Sequence, residues 1–429
     1  MNDEQSKATR AIEAQLQRAI QAGQGDSAWR LWELLLAQAP DHPEALMTLG
    51  QHAFHRGDLA RARSLLQHLV ATDGRHKQQW IKLAVVCAAQ HDEDGEALAI
   101  SGVLTRDPHD LLGLILRADL LTRQGRLHEA ARAQGAVAAV APPLERLAPE
   151  LRPAVERALA ERARYDAEFA SHMDAFLEPY LRDTQGEQLG RFHESVDIML
   201  GRKKRFDSQS AVFHYHGLAP QSFFARADFP WLAAIEGETA AIRDEFLRVY
   251  GADDGFCPYL NYAADQPLNQ WAELNNSARW SAFHLLQDGV AVAANAARCP
   301  RTMQALAGAP QPDQPGRTPT AMFSLLLPHT HIPPHSGVSN VRLVTHLPLI
   351  VPPACRFRVG NETRAWQAGQ AWVFDDTIEH EAWNDSEQLR VVLIFDIWHP
   401  QLSSAERALI GAMTRAISAF AGSTDSFAL

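Results

Sequence analysis

A period of 34 residues runs through the first third of the chain, and it constrains the fold more than any other feature. Gly57, in HRGDLARA, and Gly125, in RQGRLHEAARA, stand 68 positions apart, twice that period, and Gly23 lies one period before Gly57. Ala28, Ala62 and Ala130 keep the same register, while Gly50, Ala84 and Ala118 form a third small-residue column. The third unit departs from the pattern, with HDEDGEA at its turn and Ala97 one residue late. Small residues at a fixed interval let paired helices approach closely, and glycine at the turn adopts a left-handed backbone angle at little cost. Asp41, Asp73 and Asp107 fall at the unit junctions, where a carboxylate can cap a helix. An alanine-rich bundle is the alternative, but three columns sharing one period favour repeats.

These columns resemble the tetratricopeptide repeat. The resemblance implies stacked helix pairs with a concave surface for a peptide or protein substrate or partner, or for self-association. The array fades at Ala141-Pro142-Pro143, and further prolines at 149 and 153 mark a boundary. A connector helix is expected from about Pro153 to Leu181, with proline at a tolerated first-turn position. The layout expected is therefore helical repeats over 1–142, a helical connector over 143–189 and a second domain over 190–429.

The bulk properties narrow the function classes. The 429-residue chain is 46% hydrophobic and 21% charged, the composition of an ordinary globular protein. Its net charge of -11 argues against a broad grip on nucleic acid or an anionic membrane. Cys87, Cys257, Cys299 and Cys355 form no CxxC pair and read as reduced, mostly buried thiols. The opening MNDEQSKATR lacks an apolar signal core, and no stretch reaches the roughly 18 apolar residues of a spanning helix. The expectation is a cytoplasmic protein without nucleic-acid or membrane partners.

From about residue 190 the texture becomes mixed. Helices are expected around Trp231–Tyr250 and Ser281–Ala297, and Gly308–Pro319 reads as an exposed loop. Short β-type runs follow at Met322–Leu327, Val341–Ile350, Arg356–Val359, Ala371–Phe374 and Leu389–Trp398, a spacing that suggests an antiparallel sandwich or barrel. Ser403-Ser404-Ala405-Glu406 signals a capped final helix. The fold class expected is α+β multidomain: a helical repeat array, then a jelly-roll domain with flanking helices.

Histidines crowd the β-rich segment. His335 lies in PPHSG, a turn-like setting, and His380 in FDDTIEHEAW, after a hydrophobic strand and its turn. Arg390 follows ten residues later inside the apolar run LRVVLIFDIWH. A buried arginine is costly unless an anion pairs with it. A jelly roll can bring early and late strands to one pocket, where two imidazoles hold a metal and a guanidinium grips the far end of a dicarboxylate. Alternation in Val341–Ile350 puts Arg342, Val344 and His346 on one face. That face is a polar interior wall or, alternatively, a solvent-facing stripe.

The segments FSLLLPHTHIPPHSGVSNVRLVTHLPLIVP, CRFRVGNETRAWQAGQAWVFDDTIEHEAWN and LRVVLIFDIWHP resemble the aspartyl/asparaginyl β-hydroxylase family, over roughly residues 190–400. The resemblance implies a double-stranded β-helix oxygenase domain using Fe(II), 2-oxoglutarate and O2. It assigns iron binding to His335 and His380 as the catalytic pair. It gives Ser324 and Arg390 the distal carboxylate of 2-oxoglutarate, and His346 a place near the cosubstrate's metal-binding end. It faces Arg342 toward an acidic substrate group. The usual third ligand, a carboxylate two residues after the first histidine, is replaced by Gly337, and Val344 stands where animal members can carry another arginine. Asp375 and Asp376 match positions that are not ligands and read as turn or supporting residues. Hydroxylation of the β-carbon of Asp or Asn in a peptide or protein is the implied reaction. A small-molecule or acyl-chain hydroxylase and a non-catalytic repeat scaffold are the alternatives.

Overall fold

The computed structural model describes residues 3–184, 189–252 and 255–421. The chain forms two compact units, Met1–Gln188 and Leu189–Leu429.

In the first unit, helices pair along the chain: α1 (Asp3–Gln21) with α2 (Gly25–Gln38), α3 (Pro43–His55) with α4 (Leu59–Asp73), α5 (Lys77–Ala89) with α6 (Glu93–Arg106), and α7 (Leu111–Arg123) with α8 (Leu127–Val140). A long helix, α9 (Arg152–Asp183), packs on α8 and α7. The turn glycines do what the period requires: Gly23, Gly57 and Gly125 have φ of 68°, 79° and 68°. In the third unit His91 takes that turn with φ 56°. That unit also puts Glu96, only 1% exposed, in the small-residue column of its second helix. Arg123 donates to both Glu96 oxygens, at 2.6 and 2.8 Å, so the buried carboxylate is satisfied.

The capping carboxylates are not those at the unit junctions. Asp58, Asp92 and Asp110 accept from the backbone N–H groups of Arg61, Gly95 and Gly113. A cap must stand immediately before the first helical residue. Asp73 instead ends α4, and Asp107 pairs with Lys77 at 2.6 Å.

The second unit begins with α10 (Gly190–Met199), α11 (Leu232–Gly237) and α12 (Thr239–Gly251), then β1 (Cys257–Pro258), β2 (Trp280–Gln287), β3 (Val290–Ala291), α13 (Ala293–Ala296) and α14 (Pro300–Leu306). There follow β4 (Ala321–Leu326), β5 (Thr330–His335), β6 (Arg342–Ile350), β7 (Cys355–Val359), β8 (Glu362–Ala365), β9 (Trp372–Phe374), β10 (His380–Asn384), β11 (Arg390–Trp398) and α15 (Ser404–Ala421). Two antiparallel sheets result. One runs β1-β2-β4-β11-β6-β9, with β3 on β2, and the other runs β5-β10-β7-β8. From β4 to β11 the chain passes back and forth between the sheets, with the β7–β8 hairpin staying in the smaller one, which is the winding of a double-stranded β-helix. Leu326, Val344 and Val392 of the larger sheet share a core with Ile332, Phe357 and Ala382 of the smaller one. The larger sheet's other face packs on Leu232, Ile242 and Phe246 from the helices.

Three expectations fail for identifiable reasons. Ser281–Ala297 is not a helix; it is mainly the β2–β3 hairpin. Asp288 and Gly289 both have positive φ, 51° and 85°, so the Asp-Gly pair is the hairpin turn that outweighs an apolar run of ambiguous period. Strand β5 was hidden by Pro333 and Pro334, which its position at the sheet edge tolerates. His335 therefore ends a strand rather than occupying a turn. The Gly308–Pro319 loop is partly interior, with Gln314 and Thr318 buried. The final helix starts as its capping pattern requires: Ser403 N–H donates to Glu406 Oε2 at 2.8 Å, and Glu406 N–H to Ser403 Oγ at 3.3 Å.

Candidate active site

Strand register creates the histidine pair. In the β5–β10 ladder His335 stands directly opposite His380, so two residues 45 positions apart in sequence face each other. Their ring centroids are 4.1 Å apart. His335 Nδ1 donates to the Pro333 carbonyl at 2.8 Å and His380 Nδ1 to the Ile378 carbonyl at 3.0 Å. Those bonds fix the tautomer and leave each Nε2 lone pair for a metal. Burial, with the neighbouring ring second, pushes His335 down to about 3; burial pushes His380 down to about 4. Both rings are thus neutral, the form a metal requires. The indole of Trp271 meets the His335 ring edge-on at 5.2 Å. Among the described residues no group of three or more His, Cys, Asp or Glu is placed to hold a metal.

Arg390 opens β11, where it pairs with Leu326 of β4 and lies beside Ser324. It is 1% exposed. Its Nη1 donates to Ser324 Oγ and to the Ser324 carbonyl, both at 3.4 Å, and its Nε has no partner. Among the described residues no carboxylate pairs with it. Burial alone drives its pKa down to about 10. His346, from β6, lies between Phe357 and Phe374 with ring distances of 5.0 and 4.8 Å. Burial first, and Arg390 second, hold it well below its ordinary value, and its Nδ1 is unpartnered. A buried, unpaired guanidinium beside a neutral imidazole is a receptor for an anion.

Arg342 has the opposite status. Its Nη1 donates to Asp396 Oδ1 at 3.0 Å, and its Nη2 lies 3.0 Å from Asp376 Oδ2. Burial opposes its charge, but Asp376 and then Asp396 hold its pKa above the ordinary value. Arg342 and Asp376 thus form a buried ion pair, with Asp376 Oδ1 left without a hydrogen-bond partner. Asp376 also explains Gly337. A Cβ on residue 337 would lie 2.1 Å from Asp376 Oδ2, so the aspartate fills the space where a side chain would begin.

Ser324, His335, Arg342, His346, His380 and Arg390 all line one cavity of about 350 Å³. The face alternation expected of β6 holds: Arg342, Val344 and His346 border the cavity, while Leu343 and Leu347 join the core behind the sheet.

Comparison with known proteins gives this pocket a context. Residues 236–400 match the family model described as aspartyl/asparaginyl beta-hydroxylase, and residues 19–85 match a tetratricopeptide repeat model. Over 201 residues the chain is 36% identical to the ornithine lipid ester-linked acyl 2-hydroxylase of Rhizobium tropici, covering 46% of this chain and 68% of that protein. The chain belongs to the aspartyl/asparaginyl beta-hydroxylase family. It is 31% identical over 218 residues to the aspartyl/asparaginyl beta-hydroxylase of Homo sapiens, covering 48% of this chain but 26% of that one. It is 36% identical over 240 residues to human aspartate beta-hydroxylase domain-containing protein 2, covering 54% of this chain and 62% of that one. Family membership makes the chain an enzyme of the hydroxylase class.

Several residues that sequence reasoning missed build this family member's pocket. Tyr259, Tyr262 and Trp271 supply an aromatic wall from the irregular segment before β2, where no periodicity marks them. Tyr259 stacks on Trp280 at 3.9 Å, and burial pushes its phenol up to about 12. Asp396 had a signal, since an aspartate inside LIFDIW needs a buried partner as much as Arg390 does. Asp375 is a turn residue, accepting from Thr377 N–H at 3.0 Å and Thr377 Oγ1 at 2.6 Å. No helix is long and apolar enough to cross a membrane among the described residues.

Proposed function

We propose that this chain is an Fe(II)- and 2-oxoglutarate-dependent dioxygenase that hydroxylates an unactivated carbon. The observation that supports it is the pairing, in one cavity, of two neutral histidines with a buried arginine that has no anion. The residues fit the implied groups. His335 and His380 would hold iron through Nε2. Arg390 and Ser324 would hold the distal carboxylate of 2-oxoglutarate, and His346 would lie near its metal-binding end. With O2, the bound iron and 2-oxoglutarate supply the oxidising power, and succinate and CO2 are the coproducts.

The protein's work is then orientation. The Nδ1 bonds to Pro333 and Ile378 keep both imidazoles aimed. Trp271 and Trp280 pack near the His335 ring, at 5.2 and 6.4 Å, and limit its rotation. Arg390 draws the cosubstrate into a single pose, which raises the fraction of productive encounters.

The substrate carbon is proposed as the β-carbon of Asp or Asn in a peptide or protein, with the helical repeats as a capture surface and a cytoplasmic setting. A second reading, an acyl chain or small molecule, draws support from the Rhizobium relative named as an acyl 2-hydroxylase. Anaerobic titration with Fe(II) and 2-oxoglutarate tests the reading. A metal-to-ligand charge-transfer band is expected in the intact protein and is lost in His335→Ala and His380→Ala. An intact protein that develops no band sinks it. Mass spectrometry of candidate substrates for a gain of about 16 Da, one oxygen atom, then identifies the acceptor.

A further inference from the structure

We propose that Trp366 is a positioning residue of the cosubstrate seat, its indole holding Arg390 and His346 at the spacing that a 2-oxo diacid of the length of 2-oxoglutarate requires. This rests on the hydroxylase reading and adds to it a residue that stands behind the cavity wall.

Trp366 follows β8 and lies in the core shared by the two sheets, at 6% exposure. Arg390 and His346 border the cavity, and Trp366 backs them without bordering it. The guanidinium carbon of Arg390 lies over the indole, 5.1 Å from the ring centroid. The His346 ring stacks on the same indole at 6.1 Å, with 28° between the planes. On the core side Trp372 stacks on it at 5.8 Å and 20°, and Phe357 packs at 5.5 Å and 33°. One ring therefore touches both groups assigned to opposite ends of the cosubstrate, and its own tilt is set by two further rings in a close-packed core.

A guanidinium buried without a carboxylate needs something to hold it charged and aimed. Its bonds to Ser324 Oγ and the Ser324 carbonyl are long, at 3.4 Å. The indole face is the other support, and tryptophan is the best ring for it. The choice has a consequence for binding. A carboxylate partner would satisfy the cation and close the seat, as Asp376 and Asp396 do for Arg342. A ring face holds the charge without occupying the N–H donors that an anion must reach. Because the same ring orients His346, it sets the separation of the two groups and with it the length of diacid that fits.

The test uses the full chain loaded with Mn(II), without O2. Calorimetric titration reads the affinity for 2-oxoglutarate and for 2-oxoadipate, which is one methylene longer. Trp366→Phe keeps a smaller, weaker ring face and should weaken 2-oxoglutarate about threefold, while Trp366→Leu should weaken it about tenfold or more. Mn(II) affinity should stay at its native value, and the preference for the shorter acid should narrow in both variants. In an Arg390→Ala background the same substitutions should cost about twofold or less, because most of what they position is gone. Where Trp366→Leu does not fold, the phenylalanine step in the two backgrounds decides alone. Equal losses with and without Arg390, native affinity in Trp366→Phe, an unchanged preference between the two acids, or a parallel loss of Mn(II) affinity overturns the proposal. A native chain that takes up Mn(II) but no 2-oxoglutarate sinks the hydroxylase reading and this inference with it. A native chain that binds the cosubstrate while losses are equal in both backgrounds sinks this inference alone.

Discussion

Both units of the chain bury charged side chains, but they treat them differently. In the repeat unit Glu96 is matched by Arg123, and Asp110 pairs with Lys77 while accepting from Gly113 N–H. In the β unit Arg390 is equally buried, but its neighbours are Ser324 Oγ and the Ser324 carbonyl, both at 3.4 Å, and the Trp366 ring at 5.1 Å, with no carboxylate among the described residues. Within the cavity too, Arg342 is matched by Asp376 and Asp396 while Arg390 is not, so the ligand seat is marked by lack of a partner rather than by burial of charge. A matched buried ion pair fixes one helix against another. An unmatched one is stable only where the fold is organised around a missing ligand.

The largest expected effect lies at the histidine pair. His380→Ala removes one of two protein donors, so metal affinity should fall by more than the roughly 100-fold typical of losing a mere supporting contact. Equilibrium titration with Mn(II) reads this, and a loss under tenfold removes His380 from the donor set. Next comes Arg390→Ala, expected to weaken 2-oxoglutarate by about 10- to 100-fold while leaving metal affinity near its starting value. Because the deleted cation has no carboxylate partner, and only the Trp366 ring and Ser324 beside it, thermal stability without ligand should change little. A clear drop in stability would mean Arg390 is matched in the folded protein and the contrast with the repeats is wrong.

The same operation in the repeat unit should give the mirror result. Arg123→Ala strands the buried Glu96, and a loss of about 2 kcal/mol in that unit's stability is expected. Cosubstrate binding should not change. Urea unfolding of the variant against the native chain measures the first, and 2-oxoglutarate titration the second. Unchanged stability would show that Glu96 finds water or a second partner once Arg123 is gone.

The two units also differ in how openly the sequence declares them. The repeats are legible because one unit is written several times, and a turn glycine such as Gly57 reports its own backbone angle. Where the pattern broke, at His91 and Glu96, a non-glycine residue took the left-handed turn and a charge replaced a small side chain. The charge at Glu96 is not recoverable without knowing its partner, Arg123. In the β unit the apolar runs placed β4, β6, β7, β9 and β11 within about two residues, because alternation and turn chemistry are local. Strands β5, β8 and β10 were not anticipated. Prolines, exposure or a short run deprived them of a local signal, and their existence depends on pairing with distant segments. Arg390 was recognisable as expensive to bury, Arg342 and His346 by strand alternation and the two histidines by their setting, whereas Ser324 was named only through the family resemblance. What the sequence withheld was their pairing: that Asp376 and Asp396 engage Arg342 while Arg390 stays open.

The smallest effect concerns a histidine outside the cavity lining. His399 is 1% exposed, its Nδ1 accepts from Gln401 N–H at 3.3 Å, and its Nε2 is unpartnered. Burial, with Arg407 second, lowers its pKa to about 4. An unfolded histidine titrates near 6.5. Above that pH both states carry a neutral ring and the residue adds no pH dependence. As pH falls from 6.5 toward 4, the unfolded chain binds a proton that the folded unit refuses, so stability falls through that window. The full contribution is roughly 3 kcal/mol. His399→Asn can keep an acceptor for Gln401 and cannot titrate. Its stability relative to the native chain should therefore improve by about that amount between pH 7 and pH 4. Denaturant curves at several pH values measure the gap. A constant gap would mean that His399 takes up its proton in the folded protein as readily as in the unfolded one, and that this end of the β unit admits water.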